Sequence, residues 1–93
     1  MATINYERMT ERNKEARSYL EKAMEYHKDV QNTSKDEVFY NVREASILLE
    51  IQQNEFKTLQ HLRVSAEENA MIREITAEWQ SLILIRDRIV ENF

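Results

Sequence analysis

The chain of 93 residues contains no glycine, no proline and no cysteine. Glycine is the default residue for tight turns and left-handed helix caps, and glycine-rich loops are what cradle phosphates in nucleotide hydrolases. Folds built from strands need such turns at almost every connection, so the composition points to helices. The lack of cysteine excludes a disulfide framework, a thiolate nucleophile and sulfur-bound zinc, and it fits a reducing compartment. Long apolar runs are missing as well. The longest is Leu82-Ile83-Leu84-Ile85, against the roughly 20 residues of a membrane span. Residues 1–12 already carry Glu7, Arg8, Glu11 and Arg12, which leaves no apolar signal core. The formal net charge of -4, from 13 basic and 17 acidic residues, is wrong in sign for gripping a phosphate backbone. These absences lead us to expect a cytoplasmic protein that binds neither membrane nor nucleic acid.

What the sequence does contain is helical periodicity, on a chain of the size of one domain, residues 1–93. From about Asn5 to Gln31 the residues Tyr6, Met9, Ala16, Leu20, Ala23 and Val30 recur at steps of three and four. Asn13 and His27 stand in that seam where apolar residues belong, and either is suited to fixing register. The polar stretch Gln31-Asn32-Thr33-Ser34 breaks the pattern, and Ser34 with Glu37 has capping-box form. A second helix, about residues 35–63, follows with the seam Val38, Val42, Ala45, Leu49, Phe56 and Leu59, in which Gln52 is the polar exception. After it the large apolar residues shift phase by about a quarter turn. They follow Ile72, Ile75, Trp79, Leu82, Ile89 and Phe93, and Ser65 with Glu68 forms a second capping box at the shift. A third helix is therefore expected over 66–92. The fold class is all-α, three long helices in an antiparallel bundle. The alternative is a dimerising helical hairpin in which the last two segments are one rod.

Chemistry has little to work with. His27 and His61 lie on different segments and neither follows an acid at the spacing of di-iron bundles. No serine stands in a glycine-bounded elbow, and the carboxylates are spread as on any solvated helix. The expectation is no catalytic residue, no metal, no cofactor and no small-molecule substrate, hence not an enzyme.

The second helix is apolar on two faces. Tyr40, Ile47, Ile51 and Leu62 fall within about 60° of one another and roughly opposite Leu49, which marks them as a partner or dimer interface. Tyr19 and Tyr26 edge the first seam, where an aromatic body covers a groove while its hydroxyl stays wet. Leu84 stands alone on the polar back of the third helix. The expected function is protein–protein interaction, by an adaptor or secretion-type chaperone that binds a helical partner as a homodimer or hetero-oligomer. Two alternatives are an inhibitor or immunity protein, of the kind a phage encodes, that blocks a larger machine, and a structural subunit of an assembly. The inhibitor reading draws on residues 65–93, whose six acids outnumber three bases.

Overall fold

The computed structural model describes residues 4–28 and 35–92, with 26–28 as backbone only, and contains α1 (Tyr6–Lys28), α2 (Lys35–Leu59) and α3 (Ala66–Glu91). The expected continuation of α1 to residue 31, its seam residue Val30, the His27 side chain, the Ser34 cap and Phe93 lie outside the described residues.

Three of the helix ends have a local cause. Asn5 Oδ1 accepts from the Arg8 amide at 3.0 Å, which satisfies one of the free N–H groups that open α1. Ser65 opens α3 through the expected capping box. Its hydroxyl accepts from the Glu68 amide at 3.1 Å and Glu68 Oε1 accepts from the Ser65 amide at 3.3 Å. The end of α2 comes earlier than expected, at Leu59 instead of residue 63. His61 and Leu62 bond back three residues, to the carbonyls of Thr58 and Leu59 at 3.3 and 3.1 Å. This tightening of the last turn ends a helix without a glycine, and among the described residues none has positive φ. The turn over 60–65 also rules out the rod in which the second and third segments run on as one.

Three pairings fix the topology. Arg12 and Met9 meet Gln52, and Tyr19 lies near Asn41, so α1 and α2 run antiparallel. Trp79 bonds to Leu49 and Ile72 lies near Leu59, so α2 and α3 are antiparallel too. Tyr6 meets Glu68, Asn13 meets Ile75 and Arg17 meets Glu78, so α1 and α3 run parallel. The result is an up-down-up bundle measuring 51 × 19 × 19 Å.

The seams supply its core. Met9, Ala16, Leu20 and Ala23 of α1, Val38, Ala45 and Leu49 of α2, and Ile75, Leu82 and Ile89 of α3 are buried. Apolar burial of this kind is the main force holding long helices together. Trp79 sits at the core's edge, half-buried. Its indole N–H donates to the Leu49 carbonyl at 2.9 Å, and its ring meets Phe56 edge-on with centroids 5.4 Å apart.

One layer of the core is polar and links all three helices. Gln52 is fully buried; its amide nitrogen donates to the Met9 carbonyl at 2.7 Å and to Asn13 Oδ1 at 3.0 Å. Its amide oxygen accepts from Arg12 Nη1 at 2.9 Å. Asn13 Nδ2 donates to the Ile75 carbonyl at 3.1 Å, and Arg12 also reaches Glu55 at 2.7 Å. Among the described residues no buried side-chain polar atom lacks a partner, so this layer carries hydrogen bonds in place of desolvation penalties. The two polar exceptions of the sequence seams, Asn13 and Gln52, thus answer each other.

Candidate interaction surface

The buried residues of α2, Val38, Asn41, Ala45, Leu49 and Gln52, occupy an arc of about 80° when each residue turns the helix by about 100°. Tyr40, Ile47 and Ile51 lie on the far side, about 140° from the middle of that arc. They are 57%, 44% and 41% exposed, against 1% for Leu49. A water-facing line of three large apolar side chains on one helix is uncommon unless something covers it.

Leu62 is not part of that line. Its exposure, 39%, resembles that of the other three, but α2 stops at Leu59 and Leu62 belongs to the following turn. It borders a separate hollow with Phe56, Leu59, Val64 and Ile72 between α2 and α3. The expected four-residue stripe assumed an unbroken helix to residue 63; the early stop moves its last member elsewhere.

Tyr19 does join the surface. With Lys22, Asp36, Tyr40 and Asn41 it lines a shallow hollow between the end of α1 and the start of α2. The Lys22 ammonium stands 5.7 Å from the Tyr19 ring centre, within reach of a cation–π attraction. The Tyr26 side chain lies outside the described residues. Further along, Leu48 and Ile51 border a second hollow with Arg8, Glu11, Arg12 and Glu15 of α1. The outer face of α2 therefore continues onto α1 at both ends.

A few charged and polar side chains join the helices to one another. Arg17 of α1 pairs with Glu78 of α3. Tyr6 donates its hydroxyl to Glu68 Oε2 at 2.8 Å, joining the start of α1 to the cap of α3. Burial first, then the hydrogen bond and charge of Glu68, push the Tyr6 phenol up to about 12. The same bond, with those from Ser65, holds the Glu68 carboxyl below its ordinary value. Arg86 pairs with its neighbour Asp87 at 3.0 Å. Glu68, Glu78 and Asp87 are half of the acids that gave the last third of the chain its negative excess, and each is engaged within the protein.

Among the described residues no group of three or more His, Asp or Glu side chains is placed to hold a metal ion. None of the described helices is long and apolar enough to cross a membrane. His61 is exposed in the α2–α3 turn. Leu84 is 62% exposed on the outer side of α3. No protein-family model, curated protein or solved structure matches the chain.

Two structurally important residues are invisible to seam reading. Arg12 and Asn41 are buried at 9% and 6% exposure. Asn41 returns a hydrogen bond to the Glu37 carbonyl one turn back at 2.8 Å, and Arg12 is satisfied by Gln52 and Glu55. The only sequence signal for Arg12 is its place beside Asn13, flanking the seam.

Proposed function

We propose that the protein is a non-enzymatic interaction module of the cytoplasm, an adaptor or secretion-type chaperone that engages a helical protein partner across the outer face of α2. The observation that carries the reading is the exposure of Tyr40, Ile47 and Ile51 on the side of α2 turned away from a core that is already filled. Amphipathic partner helices dock on such lines through side chains one or two turns apart. Aromatic and aliphatic anchors of this type dominate binding energy where water is excluded around them. Tyr19 and the α1 margin extend the surface, and the buried apolar seams hold the three helices together beneath it.

The test is the double substitution Ile47→Glu with Ile51→Lys, read by light scattering and by capture of the natural partner. Desolvating an unpaired charge in an apolar contact costs several kcal/mol, so association should disappear. Association at the parent's level would place the interface elsewhere on the molecule.

A further inference from the structure

The outer face of α2 carries a charge pattern beside its apolar line. Asp36, Arg43, Glu50 and Lys57 are all exposed and stand seven residues apart, so they form one edge about 60° round the helix from Tyr40, Ile47 and Ile51. Their signs alternate. Within α2 an ion pair needs a partner three or four residues away. Those positions hold Phe39 and Tyr40, then Ser46 and Ile47, then Gln53 and Asn54, with Gln60 and His61 after Lys57. The ion pairs Arg12–Glu55, Arg17–Glu78 and Arg86–Asp87 among the described residues do not use this edge.

An edge of alternating sign at heptad spacing is complementary to itself when reversed. We propose that the occupant of the α2 outer face is a second copy of this chain, docked antiparallel about a two-fold axis close to Ile47. In this register Asp36 faces Lys57 of the partner subunit and Arg43 faces Glu50 of the partner subunit, with both pairs repeated by symmetry. The inference rests on the reading of this face as an interface and adds what fills it.

Other registers fail on charge. A slip of one heptad sets Glu50 against its own copy and Arg43 against Lys57 of the partner subunit, or in the other direction Arg43 against its own copy and Asp36 against the partner's Glu50. A slip of two heptads restores opposite signs but leaves a single pair with its symmetry mate and moves Ile47 off the contact. Parallel pairing brings this edge against the opposite one, Asn41, Leu48 and Glu55, whose one charge is already paired with Arg12. In the favoured register Ile47 packs near the axis on its own copy, and Tyr40 covers Ile51 of the partner subunit. The symmetry closes, so the product is a dimer and not a filament. The 22 residues from Asp36 to Lys57 span about 33 Å at roughly 1.5 Å per residue. One helix pair of that length falls at the small end of specific interfaces, so the dimer should be micromolar or weaker and should weaken with salt.

Sedimentation equilibrium on the full chain at low salt tests this. The parent should be a monomer–dimer mixture. Arg43→Glu and Glu50→Arg each create two like-charge contacts and should weaken dimerisation by about tenfold or more. Mixed one to one, the two variants regain complementary edges and should associate at least as well as the parent. A parent that stays monomeric at the highest attainable concentration overturns the proposal. In that case, loss of a different partner on Ile47→Glu with Ile51→Lys would leave the interface reading standing. If that double substitution abolishes the dimer while the charge variants and their mixture behave like the parent, the register proposed here is wrong. Unchanged circular dichroism in all variants excludes unfolding as the cause.

Discussion

Replacing Gln52 by leucine keeps nearly all of the side-chain volume and makes the residue more apolar, so transfer energies alone would rank it as stabilising. The geometry says the opposite. Gln52 is fully buried and makes three hydrogen bonds, to Met9, Asn13 and Arg12. The Met9 carbonyl belongs to α1 and keeps its helical partner. Arg12 keeps Glu55 at 2.7 Å but loses its buried acceptor. Asn13 Oδ1 loses its donor inside the core. Leaving a buried polar group unsatisfied costs about 1–3 kcal/mol, so with the weaker loss at Arg12 we expect Gln52→Leu to destabilise by about 2–4 kcal/mol. For a domain of this size that is a fall in Tm of roughly 10–20 °C, within the total stability of a small domain. Asn13→Leu combined with Gln52→Leu removes the stranded acceptor with its lost donor. The pair should therefore show a favourable coupling of about 1 kcal/mol or more in a double-mutant cycle. Thermal melts followed by circular dichroism decide it. A Gln52→Leu protein that melts within about 2 °C of the parent or above it, or strictly additive single effects, would refute the polar-layer argument.

Two further outcomes follow from the helix ends. Ser65→Ala removes the cap of α3 and should cost about 1 kcal/mol in a denaturant melt, with faster amide exchange confined to the first turn after the α2–α3 connection. Tyr6→Phe should flatten the pH dependence of stability at both extremes. The raised phenol of Tyr6 contributes stability that is present below its ordinary value of 10.0 and lost as pH rises toward about 12. The lowered Glu68 carboxyl contributes stability that is present above the ordinary carboxylate range and lost as pH falls through its depressed pKa. Superimposable pH profiles for parent and variant would contradict this coupling of α1 to the α3 cap.

Much of the bundle was legible in the sequence, because burial in long helices follows a period that side-chain type reveals directly. The α3 seam is the clearest instance. Its phase shift after residue 63 anticipated the burial of Ile75, Leu82 and Ile89, and Ser65 with Glu68 marked where α3 begins. Asn13 and Gln52 were recognisable as polar exceptions, but not as partners, since 39 residues separate them and no pattern within one helix states what lies across from it. Arg12 escaped for a related reason. An arginine beside a seam reads as a solvated flank, and its burial becomes favourable only once Gln52 and Glu55 are brought to it. The end of α2 was not legible, because it is closed by backbone bonds three residues back and carries no residue-type signal. That early stop is what takes Leu62 off the α2 face. Tyr40, Ile47 and Ile51 were legible because they sit in the middle of a regular helix, where angle follows from residue number.

Tyr40, Ile47 and Ile51 form a surface and not a second side of the core. The thermal melt of Ile47→Glu with Ile51→Lys, taken at high dilution so that association adds nothing to either protein, tests it most directly. Substitutions at exposed positions shift stability by only about 0.5 kcal/mol each, so the variant should melt cooperatively within roughly 5–8 °C of the parent. A variant that is unfolded, or that melts some 15 °C or more below the parent, would show that this line belongs to the core.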